Sequence, residues 1–289
     1  MPFTDFDAVL FDIDGTLCAH REALPGAVET INYLQHAGIP VAFVTNNSAS
    51  TVTSQVARLK KLGICVDAKS IYTSGSAMAD WIRSRWERPR VFNFAGDALK
   101  EELDGRAHFI LPIDAEGCAE GSDLASEKTQ AGSGLACDVV AVGTHMRENA
   151  LAFEYDHALQ GLAYLRQGAE LLVGSPDRVY MFEDKPEFGS GALGAMFQYG
   201  ADLPRERIHY AGKPDPEFFL HLCERIGVQA NRCLLIGDNL EADIAGGLSV
   251  GMTTALLLTG VATEMHVKES SIKPRYVFDG LIELLAEFR

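Results

Sequence analysis

Short apolar runs alternate along this chain with longer segments in which apolar residues recur at helical spacing. The run "AVLF" at residues 8–11 comes first, a helical pattern follows at 24–39, and "PVAFVT" forms the next apolar run. A strand that is covered on both faces of a parallel sheet is apolar throughout, and strands that alternate with helices favour right-handed crossovers. The pattern therefore predicts an α/β fold with a doubly wound, Rossmann-like parallel sheet.

The alternation continues in a second series of strands and helices that begins with "RVFNF". We expect this series to form an α/β cap domain at residues 79–205, inserted between two parts of the core domain, 1–78 and 206–289. Within it, residues 115–136 are rich in Gly, Ala, Ser and acidic residues without periodicity, which predicts a surface insertion. Residues 175–191 are expected to form a loop that leads into a helix.

Polar residues follow several of the apolar runs, where a strand would end. The four polar clusters are "DIDGT" with Asp12 and Asp14, "VTNNS" with Thr45 and Asn46, "AGKPDP" with Lys213, and "IGDNLEADIAG" with Asp238 and Asp243. The carboxyl ends of parallel strands meet at one edge of a sheet, where open α/β sheets bind ligands, so we expect the clusters to converge. Together they supply carboxylates for a metal, a hydroxyl and amides for phosphate oxygens, and a lysine for charge, as phosphoryl transfer requires.

Each cluster on its own is also compatible with a structural role. An Asp-Gly pair is typical of a turn, and Thr45 is a typical capping residue. Acidic residues such as Asp238 and Asp243 are common at helix N-termini, and Lys213 is typical of a solvated loop. The functional interpretation therefore depends on the four clusters occurring together.

The clusters, in this order and at this spacing, resemble the motifs of the haloacid dehalogenase superfamily of phosphatases. The chain is most similar to the NagD-like group, which includes nitrophenylphosphatases, nucleotide phosphatases and pyridoxal phosphatases and has a large α/β cap between its second and third motifs. The segments "SPDRVYMFED", "GSGALGA" and "YVFDGL" extend the resemblance, whereas residues 115–136 depart from it. The resemblance implies a phosphatase that hydrolyses small-molecule phosphate monoesters through an aspartyl-phosphate intermediate.

The resemblance also implies a role for each matched residue. Asp12 matches the nucleophile that attacks phosphorus, and Asp14 matches the general acid and base that serves the leaving oxygen and then the water. Thr45, Asn46 and Lys213 match groups that bind the phosphoryl oxygens. Because Asp12 must be ionised while Asp14 carries a proton, we expect their surroundings to separate their pKa values.

Magnesium is the cofactor that the resemblance implies. Mg²⁺ keeps several waters and therefore needs few protein ligands. The resemblance assigns the carboxylates of Asp12 and Asp238 and the backbone carbonyl of Asp14 as ligands, with Asp243 supporting them.

The resemblance further places the loop with Arg178, Tyr180 and Met181 over the active-site mouth. We expect these side chains to contact the leaving group, since an arginine can pair with a second anion and a tyrosine can stack or donate a hydrogen bond. The alternative is that Tyr180 and Met181 pack within the cap while Arg178 faces solvent.

The composition limits the classes of partner. A formal net charge of −15 disfavours attraction to nucleic acid or to an anionic membrane surface, although a local metal can still bind a phosphorylated ligand. The start of the chain lacks a signal-peptide pattern and no apolar run approaches the ~18 residues of a membrane helix, so we expect a cytoplasmic protein. The cysteines form no C-x-x-C pair that would indicate zinc or redox chemistry. The expected partners are a small phosphorylated metabolite and, from the resemblance, a second copy that binds through the cap.

Two other functions stay open at this point. A phosphomutase would return the phosphoryl group to its substrate, and an isomeric product would reveal it. A non-catalytic phospholigand-binding or regulatory protein on the same fold would release no phosphate with magnesium present.

Overall fold

The computed structural model describes residues 5–19, 21–103, 105–110, 136–144, 155–182 and 185–289. The predicted insertion at 115–136 lies, apart from its last residue, outside the described residues. The chain divides into two compact units, of which the first comprises residues 1–46, 52–74 and 212–289 and the second comprises 47–51 and 75–211.

The described residues form the following strands and helices. The strands are β1 (Ala8–Asp12), β2 (Cys18–Ala19), β3 (Glu22–Ala23), β4 (Val41–Thr45), β5 (Ile71–Thr73), β6 (Arg90–Phe94), β7 (His108–Ile110), β8 (Val139–Val142), β9 (Glu170–Val173), β10 (Val179–Phe182), β11 (Lys185–Phe188), β12 (Ile208–Tyr210), β13 (Cys233–Gly237), β14 (Thr253–Leu257) and β15 (Tyr276–Phe278). The helices are α1 (Ala27–His36), α2 (Val52–Lys61), α3 (Ser74–Arg83), α4 (Asp97–Leu103), α5 (Tyr155–Gln167), α6 (Ser190–Ala201), α7 (Pro216–Ile226), α8 (Gly246–Ser249), α9 (Glu264–Glu269) and α10 (Leu281–Phe288).

The first unit contains a six-stranded parallel sheet in the order β15-β14-β13-β1-β4-β5. Strand β1 lies between β13 and β4, and Val9, Leu10 and Phe11 are fully buried, as expected for a strand covered on both faces. Helices α1 and α10 contribute Ile31 and Leu284 to the core that covers one face. The predicted α/β fold with a doubly wound parallel sheet is confirmed.

The second unit contains its own parallel sheet, in the order β12-β9-β8-β6-β7. Its core combines strand residues such as Phe94 and Val140 with Phe197 of α6. Strand β12 was expected within the core domain from residue 206 onward, but it pairs with β9 in this second sheet. A short apolar strand carries no information about which of two parallel sheets it joins, and the second unit therefore extends to residue 211.

A hairpin occupies part of the segment for which the sequence predicts a loop. Strands β10 and β11 pair antiparallel, with Val179 opposite Phe188 and Met181 opposite Pro186. In the described part of the chain, no helix combines the length and the apolar character that a membrane span requires.

Candidate active site

The first site residue stands at the carboxyl end of the central strand β1. Asp12 is the last residue of β1 and pairs in register with Val44, so Asp12 and Thr45 end neighbouring strands at the same edge of the sheet. Both side chains are buried, with 5% of Asp12 and 2% of Thr45 exposed to solvent. The prediction that Asp12 and Thr45 lie at the same edge of the sheet is confirmed.

Lys213 joins two aspartates in the interior of the first unit. Its Nζ donates hydrogen bonds to Asp12 Oδ1 at 2.5 Å and to Asp243 Oδ1 at 2.6 Å, and all three side chains are buried. The sequence analysis placed Lys213 after a strand of the core sheet, which is wrong because β12 belongs to the second sheet. Lys213 instead lies in the loop that leads into α7 at Pro216.

Asp243 is fixed through both of its carboxylate oxygens. Oδ1 accepts from Lys213, and Oδ2 accepts from the backbone N–H of Asn239 at 3.1 Å. Asp243 lies in a π-helical segment, Leu240–Ala245, whose start is capped by the Asn239 side chain. Such segments are rare and recur at functional sites. With both oxygens engaged, Asp243 is suited to holding the Lys213 ammonium in place.

Asp238 follows β13 and lies against two glycines. The backbone N–H of Val261 donates to Asp238 Oδ2 at 2.7 Å. Gly15 has a φ of 89°, and a Cβ at that position would lie 2.5 Å from Asp238 Oδ2. A Cβ at Gly260 would also collide with this carboxylate. The glycine in "DIDGT" is therefore required both for its left-handed backbone and for the space that it leaves to Asp238.

Asn46 holds the backbone of Lys213. Asn46 Nδ2 donates to the Lys213 carbonyl at 3.0 Å, and the Lys213 N–H donates to Asn46 Oδ1 at 2.8 Å. The Asn46 carbonyl accepts from Ser74 Oγ at 2.8 Å. The expected role of Asn46 at a phosphate oxygen stays a prediction, but these contacts give the residue a further, positioning role toward Lys213.

The buried charged groups of the site shift one another's pKa values. Burial raises the pKa of Asp12, the Lys213 ammonium lowers it, and the carboxylates of Asp243 and Asp238 raise it again, with a net rise. Burial also raises the pKa of Asp238 to about 7, and Asp243 adds to that rise. Burial lowers the pKa of Lys213, but Asp12 and Asp243 raise it more, so the ammonium keeps its charge. The raised pKa values of Asp12 and Asp238 show that negative charge on these neighbouring buried carboxylates is unfavourable without a further cation.

These carboxylates form a candidate site for a divalent metal. One oxygen each of Asp12, Asp238 and Asp243 lies within 4.8 Å of the others. Asp12 Oδ2 is buried and has no hydrogen-bond partner among the residues that the structure describes. When all three carboxylates are ionised, their charge exceeds that of the Lys213 ammonium by two, which a dication such as Mg²⁺, with its preference for oxygen ligands, would offset. The donor set and the unpaired oxygen therefore fit a magnesium ion.

Asp14 lies on the turn after β1 and contacts a residue that the sequence analysis missed. Arg58 of α2 donates from Nη2 to Asp14 Oδ1 at 2.6 Å. About half of the Asp14 side chain (48%) and about a quarter of the Arg58 side chain (28%) are exposed. Basic residues in the last turn of a helix are common because they favour the helix dipole, so the sequence gives no signal that distinguishes Arg58.

The expected specificity residues lie in the second unit. Arg178 precedes β10 and is exposed, whereas Tyr180 and Met181 are neighbours within that strand. Successive residues of a strand point to opposite faces, so Tyr180 and Met181 cannot meet one ligand from the same face of the hairpin. Met181 is 60% exposed, which excludes the alternative that its side chain packs in the core of this unit.

Comparisons with protein families match both parts of the chain that carry these motifs. A model described as haloacid dehalogenase-like hydrolase matches residues 9–107, and a second, HAD-hydrolase-like model matches residues 210–284. Together the two models cover more than half of the chain. Among curated relatives, acid sugar phosphatase of Staphylococcus aureus is 27% identical over 282 residues, which are 98% of each chain.

Solved structures share the fold over nearly the whole length. 4-Nitrophenylphosphatase from Thermotoga maritima has a TM-score of 0.82 at 23% identity, covering 99% of this chain and 98% of that one. NagD from E. coli K-12 has a TM-score of 0.77 at 25% identity, covering 96% and 98%. A glycerol phosphate phosphatase from Mycobacterium tuberculosis, solved in complex with magnesium, has a TM-score of 0.80 at 22% identity, covering 96% and 77%. The chain belongs to the haloacid dehalogenase-like hydrolases, within their NagD-like group.

Proposed function

We propose that this protein is a magnesium-dependent phosphatase that hydrolyses small-molecule phosphate monoesters through an aspartyl phosphate on Asp12. The observation that carries the proposal is the buried contact between Lys213 and Asp12, which leaves Asp12 Oδ2 unpaired beside Asp238. A buried carboxylate oxygen without a hydrogen-bond partner is costly, and such atoms are retained where the group has a chemical function. The relatives that are named acid sugar phosphatase and glycerol phosphate phosphatase support the same reaction class.

In the first step, the Asp12 carboxylate attacks phosphorus and the bond from phosphorus to the ester oxygen breaks. Asp14 protonates that oxygen, so the alcohol leaves as a neutral molecule. The Lys213 ammonium, held against Asp12 at 2.5 Å, offsets the charge of the phosphoryl oxygens where the nucleophile must approach them. Thr45, at the end of the neighbouring strand, donates its hydroxyl to the same oxygens.

In the second step, water attacks phosphorus and Asp14 takes the proton that the water loses. The bond between phosphorus and Asp12 breaks, which restores the carboxylate and releases inorganic phosphate. Asp14 is more exposed than Asp12, and this exposure lets water and the departing alcohol reach it. Asp12 thus acts as the nucleophile, and Asp14 transfers the protons in both steps.

Asp12, Asp238 and the backbone carbonyl of Asp14 would hold Mg²⁺. The bound ion supplies charge that stabilises the phosphoryl group and favours the ionised form of Asp12. Asp243 positions Lys213 and keeps a fixed distance between the ammonium and the Asp12 carboxylate.

The second unit is proposed to act as a cap that selects the substrate, a small phosphorylated metabolite, with Arg178 and Tyr180 among its contacts. The proposal includes a cytoplasmic location and neither nucleic acid nor a membrane as partner, in keeping with the net charge of −15.

A homodimer formed through the second unit is also proposed. Val179, Met181 and Phe188 lie on one face of the β10/β11 hairpin and are 51%, 60% and 72% exposed. An apolar face of this kind on a soluble unit favours association with a second copy. Replacement of Phe188 by Ser should shift the mass measured by light scattering toward that of the monomer, and an unchanged mass would argue against this face.

A panel of phosphate esters tests the proposed function. Sugar phosphates, glycerol phosphate, nucleoside monophosphates and an aryl phosphate are incubated with the protein, with magnesium or with excess chelator, and free phosphate is measured. We expect release from at least one ester with magnesium and none with chelator. An isomeric product without free phosphate would favour a phosphomutase, and binding without turnover would favour a phospholigand-binding protein.

A further inference from the structure

Arg58 is the strongest candidate for a functional residue outside the four motifs. Its Nη2 donates to Asp14 Oδ1 at 2.6 Å, a short charge-assisted hydrogen bond. This contact is made by Oδ1, and about half of the Asp14 side chain is exposed to solvent. Arg58 therefore fixes one oxygen of the carboxyl group and with it the direction of the other.

The turn that carries Asp14 is held by the same guanidinium. Arg58 Nη2 also contacts Cys18 Sγ at 3.2 Å. Asp14 and Cys18 form an isolated backbone bridge, and the N–H of Gly15 donates to the Cys18 carbonyl at 2.8 Å. Arg58 itself is placed by α2, where the adjacent Leu59 is fully buried. The orientation of Asp14 is thereby tied to the packing of α2 on the core.

We infer that Arg58 is a positioning residue that aims Asp14 Oδ2 at the leaving oxygen of the ester. This inference rests on the proposed function and adds to it a residue from a different part of the chain. Because the Arg58 guanidinium holds Oδ1 at 2.6 Å, it fixes the plane of the carboxyl group and the direction in which Oδ2 points. Small misplacements of a reacting group cost large factors in rate, and such groups need a supporting contact.

The ordinary explanation is that Arg58 and Asp14 form a partly exposed ion pair that contributes only to stability. Such partly exposed pairs contribute little to stability. The two explanations differ in how an Arg58 substitution affects esters with different leaving groups. A poor leaving group needs protonation by Asp14, whereas a good leaving group such as 4-nitrophenolate departs without it.

The test measures kcat/KM for 4-nitrophenyl phosphate, phenyl phosphate and an alkyl phosphate, which form a series of increasingly poor leaving groups. Arg58→Met should lower kcat/KM on the alkyl ester by on the order of 10- to 100-fold and on 4-nitrophenyl phosphate by less than about threefold. Arg58→Lys keeps the charge without the planar fork and should recover part of the loss.

Arg232 provides a matched control in the same unit. Its guanidinium donates to both carboxylate oxygens of Asp7, at 2.6 and 2.7 Å, just before the start of β1. Arg232→Met removes an Arg–Asp pair at the opposite end of the strand and should lower kcat/KM equally little on every ester. Thermal unfolding of both variants without metal measures any structural cost separately from activity.

Every outcome of this experiment either supports or overturns the role inferred for Arg58. A loss for Arg58→Met that increases along the leaving-group series supports it, whereas an equal loss on all esters, or no loss, overturns it while leaving the proposed function intact. If Arg58→Met does not fold, the same increase must appear for Arg58→Lys. If the unmodified protein releases no phosphate from any ester, the proposed function is refuted and the inference with it.

Discussion

Replacement of Lys213 by Met should be strongly destabilising at neutral pH. Met has a similar length but no charge, so the variant leaves Asp12 and Asp243 buried without the ammonium that contacts both at 2.5 and 2.6 Å. Removing one member of a buried ion pair typically costs about 3–5 kcal/mol, because the remaining charge is desolvated and uncompensated. That is a large share of the about 5–15 kcal/mol by which domains are stable.

The cost should depend on pH in a defined direction. The pKa of Asp12 is already raised by burial, and loss of Lys213, which lowers that pKa, raises it further. A carboxyl group with a higher pKa in the folded than in the unfolded state favours folding when protonated, and this contribution is lost as pH rises through the folded-state pKa. The variant should therefore lose most stability near neutral pH and least in acid, where Asp12 is protonated.

Urea unfolding followed by circular dichroism measures the free energy of unfolding of the Lys213→Met variant and of the unmodified protein, near neutral pH and in acid. Both tryptophans, Trp81 and Trp86, lie in the second unit, so fluorescence reports that unit while circular dichroism also reports the first. Arg232→Met, which removes an exposed pair, serves as the control and should change the free energy of unfolding little at either pH. A loss below about 1 kcal/mol for Lys213→Met at neutral pH, or a larger loss in acid, would refute the reasoning.

Three further predictions follow from the site. Mg²⁺ should raise the melting temperature of the metal-free protein more at about pH 8 than at about pH 5, because Asp238, whose pKa is raised to about 7, must ionise to bind the ion. Equal increases in melting temperature at the two pH values would contradict this prediction. Gly260→Ala should abolish that magnesium shift, because its Cβ would collide with the Asp238 carboxylate, whereas Gly280→Ala, with its nearest neighbour at 3.5 Å, should keep it. Replacing Arg178 or Tyr180 by Ala should change the ranking of substrates by kcat/KM but spare a small aryl phosphate, and equal losses on every ester would exclude a role in selectivity.

The fold class and the convergence of Asp12, Asp238 and Asp243 could be predicted because their signals are local. The apolar run that ends on Asp12 indicates a strand that is buried on both faces and ends in a polar residue, and the glycine after Asp14 indicates a turn. Three such clusters follow strands of the core sheet, and together with the Lys213 cluster they suffice to expect a phosphoryl-transfer site.

The remaining features depend on contacts between distant parts of the chain. The run before Lys213 is apolar whichever sheet it joins, so periodicity could not show that β12 pairs with β9. Arg58 is separated from Asp14 by 44 residues, and helical periodicity gives its face on α2 but not what that face meets. The contact of the Asn46 amide with the Lys213 backbone, across 167 residues, is likewise a tertiary feature without a sequence pattern.

The covalent intermediate on Asp12 is the central claim, and its direct detection is the most decisive measurement. Asp14→Asn removes the base for the second step, so with 4-nitrophenyl phosphate, whose leaving group needs no proton, the aspartyl phosphate should accumulate. Acid quenching, proteolysis and mass spectrometry should then find one phosphoryl group on the peptide that contains Asp12, and none when Asp12 is also replaced by Asn. Phosphate on another residue, or sustained turnover by Asp12→Asn with Asp14 intact, would contradict the account.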